Sequence, residues 1–309
     1  MSEQILLLGT SSQDIVGRLD ADLQPGTSNP ARIRSSYGGV ARNVAENLAR
    51  LGQPAKLVSV VGKDRAGDEL LEYTTSAGVD TSAVLRTDLY PTGFYMGVLD
   101  HRARLRFAVD DMRAMSELTP EILHQHEDLF HSAALVFLDA NLPEATLKAA
   151  VSLARKSKIP ICADPASSIL AGRLLPYLDK LHFITPNAAE AGILTSQTFD
   201  IADADAALEA ARSLVTRGVD IVLISLAEFG VVYATPDTSG RIPAIQTPIL
   251  DPTGAGDAMT AAVLFGLTNE MELDEAIRLG VSAASITLRH SGTVYPQLTL
   301  EKLYEQLVI

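Results

Sequence analysis

The sequence predicts an α/β protein: a mostly parallel sheet sandwiched between two layers of helices, with a small β-rich lid beside it. Three observations lead there. Short continuous apolar runs recur along the chain, each about the length of one buried strand. Amphipathic stretches at helical spacing lie between them, and strands alternating with helices build parallel sheets. Two further stretches interrupt the alternation and fit neither a helix nor a buried strand.

The first run, residues 5–9, is apolar and ends in Gly9. Similar runs occupy residues 55–61, 134–138, 159–163, 181–184 and 221–226. Helical patterns cover residues 40–51, 144–156 and 203–217. From about residue 253 the chain reads as largely helical, over 256–267, 272–288 and 299–308. The interruptions are residues 31–37, polar and extended before Gly38-Gly39, and residues 92–110. The second reads as two strands, 92–100 and 105–110, around His101-Arg102-Ala103-Arg104. Together they give a lid from about 12–37 and 92–110, inserted in a single domain of residues 1–309. A plain surface hairpin is the simpler reading; the glycine pair behind the first stretch favours the lid. No repeat, low-complexity tract or long linker divides the chain.

With 309 residues, 47% hydrophobic and 20% charged, the chain can bury a large core and is not disordered. A net charge of −13 repels polyanions, so nucleic acid is excluded as a partner. No apolar run reaches transmembrane length, and Met1-Ser2-Glu3-Gln4 lacks the basic start of a signal peptide. A cytoplasmic location, with no membrane partner, is therefore expected. Cys162 is the one cysteine, so no internal disulfide forms; its apolar neighbours mark a buried strand residue. Histidines 101, 124, 126, 131, 182 and 290 show no metal-binding spacing, and His124 and His126 point to different sides of a helix.

Asp251-Pro252-Thr253-Gly254-Ala255-Gly256-Asp257 runs into the small and apolar residues 258–267. Gly254, Ala255 and Gly256 at a helix start leave backbone N–H groups bare, and the helix dipole behind them favours an anion. Asp257 then sits beside that anion, where it can take a proton from a hydroxyl during phosphoryl transfer. Alone, Asp257 reads as a helix cap; the full run with its small-residue helix points to a kinase. The lysine of a Walker A loop is missing, so the P-loop mechanism is excluded. Kinases exclude water, which gives a lid a purpose.

These residues resemble the ribokinase-like (PfkB) family of sugar and nucleoside kinases over nearly the full length. Gly38-Gly39-Val40-Ala41-Arg42-Asn43 is similar to its N-terminal Gly-Gly motif, and Thr185-Pro186-Asn187-Ala188-Ala189-Glu190 to its Asn-x-x-Glu motif. The resemblance implies a three-layer core, a β lid and ATP-dependent phosphorylation of a hydroxymethyl group. Asp257 would be the base, with the N–H groups of Gly254, Ala255 and Gly256 as anion hole. Gly38 and Gly39 would let backbone approach the substrate, where a Cβ would collide, and Asn43 would bond a sugar hydroxyl. A tight turn also accounts for the glycines. Asp14 matches the family's substrate-binding carboxylate, although Ser12 stands where asparagine is usual.

Asn187 and Glu190, three apart, share a helix face. The resemblance gives them nucleotide phosphates and, at Glu190, Mg2+ held through water. They also form a capping box, and both readings can hold. Ser225, Ala227 and Gly230 fall in the loop that lines the nucleotide, Ala227 replacing the usual glycine. Asp251 and Thr253 match the positions at which potassium-activated members bind K+, with carbonyls near Ile286, Arg289 and Ser291. Asp164-Pro165 shapes the substrate side or simply ends a strand.

Asp110-Asp111-Met112 and Asp139-Ala140-Asn141 are similar to segments of the family's pseudouridine kinases. This implies pseudouridine as acceptor at its 5′-hydroxyl, with Asp14, Asp111 and Asn141 on the nucleoside. Another nucleoside, a furanose sugar, or a non-catalytic binding regulator on the same fold are the alternatives. Lids of this family often meet across a homodimer. The apolar Phe94, Met96 and Val98 suit that, or a lid packed on its own substrate.

Overall fold

The computed structural model describes residues 4–307. Met1, Ser2 and Glu3, where a signal peptide would begin, and Val308 at the predicted end of the last helix lie outside them. In chain order the elements are β1 (Ile5–Leu8), β2 (Ser12–Leu19), β3 (Ala31–Gly38), α1 (Val40–Arg50), β4 (Ala55–Val58), β5 (Val60–Gly62), α2 (Arg65–Ser76), β6 (Leu85–Thr87), β7 (Gly93–Leu99) and β8 (Leu105–Asp111). There follow α3 (Pro120–Gln125), α4 (Glu127–Ser132), β9 (Leu135–Asp139), α5 (Glu144–Ser157), β10 (Ile161–Asp164), β11 (Phe183–Ile184), α6 (Ala188–Thr195) and α7 (Ala204–Thr216). The chain closes with β12 (Ile221–Ser225), β13 (Val231–Ala234), β14 (Ser239–Ile242), α8 (Ala255–Thr268), α9 (Leu273–Leu288) and α10 (Leu300–Leu307).

The main sheet has eight strands in the order β14-β13-β12-β11-β10-β9-β1-β4. The run from β4 to β12 is parallel, and β13 and β14 add an antiparallel edge. Its strands are apolar on both faces because both are covered. Ile5, Leu7, Phe137, Cys162, Phe183 and Leu223 pack with α1, α8, α9 and α10. Leu6, Leu8, Leu138, Ala163, Val222 and Ile224 point the other way, among α3 to α7. Alternate residues of each strand thus feed two hydrophobic layers. Burial pushes the Cys162 thiol well above its ordinary pKa. Among the described residues no helix is long and apolar enough to cross a membrane.

The apolar run at 55–61 is not one strand. It breaks at the fully buried Ser59, β4 staying in the main sheet while β5 pairs with β6. The helix expected through His124 and His126 also breaks, with His126 as the joint between α3 and α4.

A second sheet of four strands, in the order β3-β2-β7-β8, stands beside the first. Its register sorts two faces. Asp14 lies opposite Ser36 and Tyr95, and Tyr95 opposite Asp110. The alternate rows carry Ile15, Ile33, Phe94, Met96, Val98, Phe107 and Val109. One face is polar and the other apolar, and Ile33, Phe107 and Val109 are 72%, 47% and 58% exposed.

Asp139 fastens the two sheets' root. Its carboxylate is fully buried at the end of β9. One oxygen accepts from the Thr10 N–H (2.9 Å) and hydroxyl (2.6 Å), the other from the Asn141 N–H (2.8 Å) and side-chain amide (2.6 Å). Asp139→Asn would turn an amide donor toward donors and is expected to cost about 2–4 kcal/mol. Urea unfolding checks this; a midpoint unchanged from wild type would show the network is dispensable.

Candidate active site

The carboxyl ends of the parallel strands deliver Thr10, Asp139, Asp164, Asn187 and Ser225 to one rim, where open α/β sheets bind ligands. The start of α8 lies there too. Gly254 takes φ 81°, a left-handed conformation, and a Cβ on it would stand 1.9 Å from the Thr293 carbonyl oxygen. With glycine as N-cap, no side chain caps the helix. The first-turn N–H groups therefore stay available to an anion.

On one side of this helix start is a cavity of about 1010 Å³. Asn187, Ser225, Ala227 and Gly230 line it, together with Ala255 and Gly256. The residues expected at the nucleotide are thus brought together. Ala227 keeps φ 46°, so alanine holds the left-handed turn that glycine would adopt without strain. No lysine or arginine is among the lining residues.

On the other side lies Asp257. Its carboxylate accepts a 2.6 Å hydrogen bond from the Asn43 side-chain amide. Its pKa is pushed up to about 7, chiefly by loss of water; Asn43 and Arg42 lower it, while Asp139 and Asp14 raise it. Asn43 is oriented in turn by Arg42, whose guanidinium donates to the Asn43 oxygen and leaves the NH2 group for Asp257. Arg42 is fully buried, and it also donates to the Gly38 (3.0 Å) and Tyr37 (3.0 Å) carbonyls and to Glu46 (2.5 Å).

Asp14 is buried on the polar face of the second sheet and accepts from the Ser12 hydroxyl at 2.7 Å. Burial above all raises its pKa to about 6, so it remains mostly ionised at neutral pH and can accept from hydroxyls. The glycine pair is needed by the protein itself. A Cβ on Gly38 would lie 2.1 Å from the Asp14 carboxylate, and one on Gly39 (φ 95°) 2.4 Å from the Thr10 carbonyl oxygen. The expected collision with substrate is preceded by these.

Asn187 and Glu190 do form the capping box, with the Glu190 N–H donating to Asn187 (3.0 Å) and the Asn187 N–H to Glu190 (2.8 Å). Glu190 also faces Asp164, which sequence reasoning placed on the substrate side. Asp164 ends its strand by accepting from the Ala166 N–H at 2.7 Å, and its second oxygen accepts from Thr185 at 3.1 Å. Burial, then Glu190 and Asp257, hold the Asp164 carboxyl well above the ordinary range, and burial raises Glu190 as well. Among the described residues no cluster of three or more His, Cys, Asp or Glu groups could hold a metal ion. The Asp164–Glu190 pair suits a divalent ion that keeps most of its waters.

Asn141 has its amide tied to Asp139, leaving its oxygen for other partners. Asp111 is bound by Arg113 through both oxygens, at 2.9 and 2.6 Å, and its register sets it opposite Phe94, in a row alternate to that of Asp14. Asp110 is the acid in the Asp14 row. At Asp251 and Thr253, where K+ was expected, the fully buried Asp251 carboxylate accepts from the Thr253 N–H (3.0 Å) and Gly292 N–H (3.1 Å) and pairs with the Arg34 guanidinium. Arg34 and Arg42 were missed because nothing local in the sequence tells where a long side chain ends.

Residues 2–300 match the family described as pfkB family carbohydrate kinase. The pseudouridine kinase of Escherichia coli (strain K12) is 30% identical over 303 residues, 96% of this chain and 94% of that protein. A second protein of the same organism, an uncharacterized sugar kinase by name, is 32% identical over 295 residues, 94% of this chain and 80% of that protein. The structure of Arabidopsis thaliana ribokinase complexed with ribose and ATP shares the fold, at a TM-score of 0.85 and 21% identity with 100% of both chains covered. The chain belongs to the pfkB family of carbohydrate kinases, and it is an ATP-dependent kinase of sugars or nucleosides on a ribokinase-like three-layer α/β fold.

Proposed function

We propose that this kinase phosphorylates the 5′-hydroxyl of pseudouridine, with Asp257 as general base. One observation carries the mechanism. The uncapped start of α8 stands between a cavity of about 1010 Å³ and a carboxylate whose pKa is about 7. A base poised near the working pH takes a proton well and is ionised often enough to do so. Asp257 removes the hydroxyl proton as that oxygen attacks the γ-phosphorus of ATP. The bond to the β-phosphate oxygen breaks and ADP leaves. The N–H groups of Gly254, Ala255 and Gly256 receive the charge on the transferred group. Asn43 holds Asp257 in place, and Asp14 accepts from sugar hydroxyls. Mg2+, when bound, neutralises the phosphates; Asp164 and Glu190 would hold it, Glu190 through water. The polar face of the second sheet, with Asp14, Tyr95 and Asp110, closes over the acceptor as a lid.

Support for the acceptor is the 30% identity with a pseudouridine kinase, and Asn141, whose oxygen is free to meet a base edge. Asp110 joins Asp14 on that face more readily than Asp111 does.

Asp257→Asn is expected to lower kcat by roughly 10²–10⁴-fold while ATP affinity, read by calorimetry, is kept. In the wild type log kcat/KM should rise with unit slope from about pH 6 to about pH 7 and then level, steepening below pH 6 where Asp14 also takes up its proton; the variant should lose the limb near pH 7 and keep the one near pH 6. Unchanged turnover would remove Asp257 as the base. The stability sign is opposite. The folded carboxyl binds its proton more tightly than the unfolded one, so wild-type stability falls as pH rises from 3.8 to about 7. The variant should therefore melt higher than wild type at pH 8, with an advantage that fades toward pH 4.

A panel of pseudouridine, uridine, adenosine, ribose and fructose with ATP tests the acceptor. Pseudouridine should give the highest kcat/KM. Its failure beside turnover of another member would transfer the assignment to that nucleoside or sugar.

The apolar face of the lid lies away from Asp14, so it does not pack on substrate; a second copy would cover it. Phe107→Glu is expected to shift sedimentation from dimer to monomer, and a monomeric wild type at micromolar concentration would end that reading.

A further inference from the structure

Asp251 sets an electrostatic problem. Its carboxylate is fully buried three residues before Gly254. Unneutralised, it would oppose any phosphate arriving at the α8 N-terminus, and an unpaired buried charge is costly in itself. Two N–H groups bond it, from Thr253 and Gly292, but they carry no net charge. The full positive charge comes from Arg34. This residue lies on β3, two positions from Ser36, and so on the polar face that carries Asp14. Its side chain is 20% exposed, and its Nε is buried without a hydrogen-bond partner in the structure. A guanidinium in that state has given up water without filling its fork of donors. The Asp251 charge is what holds it there.

We propose that Arg34 is the fixed cation of the phosphate-binding loop, so that its guanidinium does the work of a free monovalent ion at Asp251. Phosphoryl transfer is then independent of K+. The charge is delivered by the second sheet rather than by solvent, so the loop is neutralised when that sheet is seated over the site. Arg34 acts through Asp251 and is a positioning residue. The inference rests on reading Gly254–Asp257 as the phosphate cradle.

The test compares wild type, Arg34→Met and the double variant Arg34→Met/Asp251→Asn. Each is assayed with ATP and the accepted acceptor in KCl, in guanidinium chloride at millimolar level, and in N-methylglucamine chloride at equal ionic strength. Melting temperature is recorded in the same buffers without substrate. Wild type should turn over within about twofold in KCl and in the organic cation, and its melting should ignore the choice. Arg34→Met should lose about tenfold or more in the organic cation, the equivalent of one decade in rate. KCl or guanidinium should restore it and raise its melting temperature, as a ligand of the native state does. The double variant should fold and respond to neither.

A wild type that needs K+ overturns the proposal. So does an Arg34→Met protein whose melting is moved by none of the cations. Should Arg34→Met fail to fold, folding of the double variant would confirm charge compensation, and failure of both would assign Arg34 to packing alone. Cation-dependent melting without phosphoryl transfer under any condition would instead count against the kinase mechanism and leave the cation role standing.

Discussion

Four donors converge on the Asp139 carboxylate, which has no contact with water at the end of β9. A charge in that place is tolerable because every lone pair has a partner. Thr10, one of those partners, passes the constraint on. Its hydroxyl accepts from the Val40 N–H and its carbonyl from the Arg42 N–H, both at 3.2 Å, so the first turn of α1 is pinned to the end of β1. Asn43, one residue further, then reaches Asp257 across the sheet's rim. The Asp257 carboxylate on α8 is thus located through three hydrogen-bonded steps that begin in the core.

The electrostatics follow the same economy. The protein carries a net charge of −13 yet handles a polyphosphate. No cationic side chain lines the large cavity, so what it offers an anion is the backbone N–H groups and the helix dipole at the start of α8. Cationic side chains are instead placed behind the site, with Arg42 against Glu46 and Arg34 against Asp251. Held in ion pairs, they set the orientation and local charge of neighbouring groups.

Much of this was legible in the chain, and what was not has physical reasons. Buried strands announce themselves by unbroken apolar runs, and the start of α8 by glycines with a following acid. Those signals are local. Ser59 splits a run that looks continuous, because two apolar faces read alike whether the strand stays in its sheet or leaves it. The hairpin of β13 and β14 is four residues a strand, too short for a pattern to emerge. Gly38 and Gly39 were recognised, but the atoms that require them belong to Asp14 and Thr10, far away in sequence. Asp110 and Asp111 are neighbours that only a register can tell apart. The partner of Arg34, Asp251, depends on how β3 sits beside the start of α8, which no window of sequence contains.

Cys162 gives the molecule an internal clock. The thiol has no exposure, lies on β10 against the layer that holds α8 and α9, and is raised far above its ordinary pKa by burial. A thiol reagent can reach it only when that helical layer parts from the sheet. With a reagent slower than reclosing, the rate of its modification therefore reports the free energy of opening of the layer carrying Asp257; with a faster reagent it counts the openings themselves.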